Sequence, residues 1–149
     1  MRRILFLAYY FPPLGGAGVQ RSTKFVQHLP ELGYEAAVVT GPLEGGVAWA
    51  PPDDSLADEV PRRTIVRRVA GPQPSRSRGN RARAERWLRR RAPFTRWWVN
   101  GSIETARQLA AEVEVDAIYA SMSPFESGEA AAVLSRELGK PWVADLRDP

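Results

Sequence analysis

Eight consecutive apolar residues, Ile4 to Phe11, sit almost at the start of the chain, and Pro12-Pro13 and the glycine-rich stretch Gly15-Gly16-Ala17-Gly18 follow at once. No other feature restricts the fold as strongly. The run is far short of the ~20 residues that span a bilayer. Arg2-Arg3 ahead of it imitates a secretory signal, but no small-x-small cleavage site follows. A strand over Ile4–Tyr9, buried on both faces of a parallel sheet, fits instead. From Val19 the apolar residues Phe25, Val26, Leu29 and Leu32 recur at a helical period; Pro30 bends or shortens the last turn, and Gly33 suits the C-terminal cap. Ala36–Thr40 is a second β-rich run. The unit is strand, glycine loop, helix, strand, and such crossovers are right-handed and join parallel strands.

The alternation continues along the chain. Gly41–Pro61 has no period and reads as loop, Thr64–Val69 as a strand, and 71–80 (GPQPSRSRGN) as a linker. Arg81–Arg91 reads as a helix with Ala84, Trp87 and Leu88 on one face, ended by Pro93. A further helix over Ser102–Val113 buries Ile103, Ala106, Ala110 and Val113. Asp116–Ala120 is a strand. Ser123-Pro124-Phe125-Glu126 has the order of a capping box, with Ser123 as N-cap or as a substrate contact, and the helix it opens runs to Leu138 and stops at Gly139. Pro141–Ala144 begins a last strand with Trp142 in its core. The fold class is α/β: a Rossmann-like, doubly wound parallel sheet.

Composition narrows the chemistry. The chain has no cysteine and a single histidine, His28. Disulfide scaffolds, thiolate zinc sites, cysteine nucleophiles and multi-histidine centres are excluded, and no metal is expected. His28 reads as a surface or partly buried helix residue. The net charge of +4 hides a sharp division. Residues 61–100 carry 13 arginines against Glu85, a net of +12, while 1–60 and 101–149 are mildly acidic. This basic segment has three readings. It is a solvated face in an arginine-preferring chain (19 Arg against 2 Lys), a nucleic-acid site, or an anionic-membrane patch. In the last, Trp87, Trp97 and Trp98 sit at the lipid interface beside Arg89, Arg90 and Arg91. Nucleic acid ranks last of the three.

In open parallel sheets ligands bind beyond the carboxyl ends of the strands. Gly15–Gly18, Ser121–Phe125 and Asp145–Asp148 converge there. The glycine loop leads straight into a helix, whose N–H groups and dipole favour an anion; a tight turn with no ligand is the plain alternative. The dinucleotide fingerprint fails, because Arg21 follows Gly16-x-Gly18 and no acid ends the second strand. The P-loop pattern fails for want of Gly-Lys-Ser/Thr. Asp145 and Asp148 either border a ligand or cap a loop and pair with Arg147.

The stretch PPLGGAGVQRSTKFVQHLPELGYEAAVVT (Pro12–Thr40) resembles the opening of the family 4 glycosyltransferases, which have the two-domain GT-B fold. DAIYASMSPFESGEAAAVLSRELGKPWVADLRDP (Asp116–Pro149) resembles the end of their N-terminal domain. Together they cover about half the chain, in the same order. The resemblance implies that residues 1–149 are the N-terminal, acceptor-side domain of a retaining enzyme with a basic insert at about 61–100. That enzyme moves a sugar from a nucleotide-sugar to a glycan or lipid-linked acceptor. It further implies that Gly15 and Gly16 line the donor diphosphate with Arg21 as an anion partner. Ser121, Ser123, Asp145, Arg147 and Asp148 would border the acceptor cleft. Where many members carry a histidine between positions matching Ser121 and Phe125, serines stand here, so no catalytic side chain is assigned. No cofactor is implied beyond the donor substrate. The nucleotide-sugar domain is expected outside this chain, and the location cytoplasmic, peripheral on the inner face of the plasma membrane if the basic segment meets lipid. The reading from another class is a non-catalytic Rossmann-like module that docks on an anionic membrane, nucleic acid or a protein.

Overall fold

The computed structural model of the chain describes residues 1–43, 52–74, 80, 83–84 and 92–146. β1 (Arg2–Leu7) leads to α1 (Ala17–His28), a 3-10 turn (Leu29–Leu32) and β2 (Tyr34–Thr40). α2 (Asp54–Asp58), β3 (Ile65–Arg68), α3 (Pro93–Glu112), β4 (Ala117–Ser121), α4 (Glu126–Leu138) and β5 (Trp142–Asp145) follow. The strands form one parallel sheet in the order β3-β2-β1-β4-β5. The chain starts in the middle, winds out to β3, and returns to the other side of β1. The order therefore reverses between β1 and β4, which places a crevice between the loops that leave those two strands.

Alternate residues of β1 face opposite layers. Phe6 and Ala8 pack with Phe11, Val26, Leu29 and Val38 beneath α1. Leu5 and Leu7 pack with Trp98, Leu109, Ile118 and Leu134 beneath α3 and α4. Gly101 brings α3 down on β3, since a Cβ there would run into the Val69 side chain.

The strands lie where the apolar runs predict them, and Gly33 and Gly139 both end their helical segments with positive φ. Several helix details differ. The buried face of α1 is Val19, Ser22, Thr23 and Val26, while Phe25 is 44% and Leu32 72% exposed. Small hydroxyl residues let the helix approach the sheet, and Thr23 satisfies its hydroxyl on the Val19 carbonyl at 2.9 Å. The change to 3-10 winding at Leu29 then carries Leu32 out of phase. The segment expected to be loop contains α2, capped by the Asp53 carboxylate, which accepts from the Ser55 N–H.

α3 begins nine residues before the predicted Ser102, with Pro93 at its first positions instead of ending a helix. The predicted helix over Arg81–Arg91, with Trp87, Arg89, Arg90 and Arg91, lies almost entirely outside the described residues. No capping box forms at Ser123: the N-cap is Phe125, and the Glu126 carboxylate accepts instead from the Thr95 hydroxyl on α3. Trp142 is 37% exposed, because β5 is an edge of the sheet. His28 is exposed, 3.1 Å from the Glu31 carboxylate.

Trp98 corrects the membrane patch. It is fully buried, edge-on to Tyr9, and its indole N–H donates to the buried Ser127 hydroxyl at 3.1 Å. Trp97 is half-buried and donates to the Ala70 carbonyl. A core tryptophan cannot reach lipid. Trp98→Ala should therefore cost about 3–5 kcal/mol of stability, read as a lower urea midpoint. An interfacial tryptophan would give a change near zero.

Candidate functional site at the carboxyl edge of the sheet

The loop after β1 is tied down before it reaches α1. Asp53 donates its N–H to the Pro13 carbonyl at 2.7 Å, and Leu14 bridges to Pro52. Leu14 then packs with Val19 and Leu56. Gly16 is the N-cap of α1 with φ 99° and ψ 159°, a backbone that an L side chain rarely adopts. Its carbonyl accepts from Val19 and Gln20. Gly15 is buried under the loop, so the surface expected from the Gly15-Gly16 pair comes from Gly16 and Ala17. The first turn of α1 carries no acidic residue of its own.

Arg21, one turn into α1, reaches across the sheet to Asp145, the last residue of β5. Its Nε donates to Oδ2 at 3.0 Å and its Nη2 to Oδ1 at 2.5 Å, a two-pronged pair. The Asp145 side chain is 8% exposed and that of Arg21 52%. Tyr119 on β4 joins them. Its ring is stacked on Phe6 at 4.2 Å and lies 5.2 Å from Phe25, and its hydroxyl lies near the charges of the Arg21–Asp145 pair. Burial first, and the Asp145 carboxylate second, hold the Tyr119 hydroxyl well above the usual phenol range. The bond to Asp145 likewise raises the Arg21 guanidinium. Two residues predicted for separate subsites, Arg21 and Asp145, are thus one ion pair that joins α1 to β5.

Ser121 ends β4, buried and in register with Asp145, and the Met122 N–H donates to the Asp145 carbonyl at 3.1 Å. Ser123 lies two residues on, partly exposed. Gly16, Arg21, Ser121, Ser123 and Asp145 therefore share the carboxyl edge, around the crevice between β1 and β4. Arg147 and Asp148 lie outside the described residues.

One residue at this edge escaped the sequence reading. Arg68 closes β3, and its Nη1 and Nη2 donate to the Gly41 and Pro12 carbonyls at 2.8 and 2.7 Å. Among 13 arginines of one segment nothing local singled it out, although its place at the end of a strand was the available signal.

A cavity of about 240 Å³ opens at the opposite, amino edge between Val26, Pro30, Glu35 and Arg63. No strand ends there with its carboxyl terminus. Among the described residues no group of three or more His, Asp or Glu side chains is placed to hold a metal, and no helix is long and apolar enough to cross a membrane.

No protein-family model and no curated protein matches the sequence. Solved structures match the fold. A C-terminal domain of a hydrogenase from Pyrococcus furiosus is 18% identical with a TM-score of 0.59, over 97% of this chain and 91% of that one. The UGT2 of Phytolacca americana is 13% identical with a TM-score of 0.57, over 97% of this chain and 29% of that one. A UGT transferase from Siraitia grosvenorii, solved in complex with UDP, is 14% identical with a TM-score of 0.57, over 97% and 28%. The chain spans under a third of the length of these two glycosyltransferases. At such identities the likeness is one of fold: an α/β, Rossmann-like parallel sheet of the kind found in GT-B glycosyltransferases.

Proposed function

We propose that the chain is the acceptor-side, N-terminal domain of a family 4 glycosyltransferase. It works with a nucleotide-sugar-binding domain and transfers the sugar, with retention, to a glycan or lipid-linked acceptor. The observation that carries this reading is Gly16: a positive-φ glycine cap at the start of α1, on the carboxyl edge, beside the crevice between β1 and β4. The Gly16 loop faces the donor diphosphate, and Arg21 with Asp145, Ser121 and Ser123 forms the wall of the acceptor cleft. Arg147 and Asp148 continue that wall.

The second reading, a non-catalytic Rossmann-like module, is favoured by one observation. The hydrogenase domain has the same fold and nearly the same extent. In this reading the basic segment docks the domain on an anionic membrane surface. Trp98 contributes nothing to such docking, so the attraction is mainly electrostatic, at about 1 kcal/mol for each arginine near the surface.

Three outcomes test these readings. Incubated alone with a panel of nucleotide-sugars and lipid acceptors, the 149-residue chain should give no turnover, because one half cannot hold donor and acceptor in attack geometry. Measurable transfer by the chain would overturn the half-enzyme reading. Gly16→Val should lower the melting temperature, since φ 99° strains a β-branched residue. It should also abolish the amide shifts that inorganic diphosphate causes at residues 16–18 in a nuclear magnetic resonance titration; unchanged shifts in the folded variant would remove the loop from the site. Vesicles with anionic lipid should retain the protein at low salt and release it as salt rises, and replacing Arg89, Arg90 and Arg91 by Glu should end retention. Equal binding to neutral vesicles would sink the membrane docking.

A further inference from the structure

Among the described residues Arg21 and Arg68 stand at the carboxyl edge of the sheet, and the fold treats their charges differently. Arg21 has its charge matched, since both oxygens of the buried Asp145 carboxylate accept from it. Arg68 has no such match among the described residues. Its two hydrogen bonds go to the carbonyls of Pro12 and Gly41, and among the described residues no carboxylate lies within ion-pair distance of it. Carbonyl oxygens satisfy N–H donors but leave the net charge in place. Burial lowers the guanidinium's affinity for its proton.

The contrast with its neighbours sharpens the point. Arg63 and Arg67 are well exposed, so water already screens them, yet each has a carboxylate: Glu35 at 3.7 Å and Glu112 at 3.0 Å. The half-buried arginine of the same edge segment, which most needs a counter-charge, has none among the described residues. Its position is also specific. Pro12 opens the loop that leads to Gly16, and Gly41 follows β2, so the guanidinium joins the loops after β1 and β2 at the end of β3. A guanidinium has five N–H donors, and two carbonyls leave three for a further acceptor.

We propose that Arg68 is an anion-binding residue, receiving a phosphate-type oxyanion of a substrate at the mouth of the glycine loop. The binding chemistry stands on Arg68 itself, while the identity of the substrate rests on the glycosyltransferase reading above. In that reading the oxyanion belongs to the donor diphosphate or to a phosphate of a lipid-linked acceptor. Both offer the same tetrahedral oxygens to a forked, charged donor.

The test follows the Arg68 Nε–H resonance and the amides of residues 16–18 in the 15N-labelled chain. One titration uses inorganic phosphate and another inorganic diphosphate. A saturable shift of the Arg68 Nε–H is expected. Arg68→Gln should weaken binding about tenfold or more, as loss of a charged, forked donor does. Arg68→Lys, which keeps the charge, should recover part of it. Arg62→Gln removes the same charge at the amino edge and should leave affinity unchanged. Diphosphate that moves residues 16–18 together with Arg68 assigns the donor; phosphate that moves Arg68 while the loop stays silent assigns the acceptor, and removes the glycine loop from the donor site. No saturable shift at Arg68 with either anion overturns the proposal, as does equal weakening by Arg68→Gln and Arg62→Gln. Shifts at residues 16–18 without Arg68 overturn it too, yet leave the glycine-loop reading standing. Should Arg68→Gln fail to fold, the wild-type resonance and Arg68→Lys decide the matter.

Discussion

The carboxyl half of β1 has no face for water. It is hydrogen-bonded to β2 on one side and β4 on the other, and Leu5, Phe6 and Leu7 are fully buried between two helical layers. A parallel sheet so enclosed needs a long crossover after nearly every strand, and each crossover must cover one face. The rest follows from that demand. α1 lies close on one face because Ser22 and Thr23 are small, and α3 and α4 close the other around Trp98. Because all strands run one way, their carboxyl ends and the loops that leave them crowd one edge. In open parallel sheets ligands bind at that edge.

That edge is held together by charge as much as by packing. The Arg21–Asp145 pair spans from α1 to β5, so the first helix and the end of the last strand are braced against each other. Arg68 braces the other side, through the carbonyls of Pro12 and Gly41. The two cations differ in what remains after bracing. One is neutralised within the chain. The other meets no carboxylate among the described residues, beside a loop whose helix begins without an acidic residue.

Much of the fold was legible in the sequence, and the misses have physical causes. Continuous apolar runs such as Ile4–Tyr9 and Ala36–Thr40 report strands directly, because strands buried on both faces have no polar period. Gly33 and Gly139 reported helix ends for an equally local reason. Phe25 and Leu32 misled, because the phase of α1 was set by how closely small residues could seat on the sheet, and hydrophobicity ignores that. The start of α3 was hidden by its neighbours: Trp97 and Trp98 sit in an arginine-rich stretch, and only the core around Tyr9 and Ser127 reveals that Trp98 faces inward. Asp53 carried a cap signal for α2 that the surrounding prolines and glycines masked.

The sequence by itself determined the β–loop–α–β order, the parallel α/β class and the edge where Gly16, Ser121 and Asp145 meet. These depend on local pattern and on the handedness of crossovers. The tertiary structure alone decided which charges are matched. Arg21 and Asp145 are 124 residues apart along the chain, and Arg68 is 56 from the Pro12 carbonyl it holds. No local pattern encodes such pairings, because they arise only when strands from distant parts of the chain are laid side by side in one register.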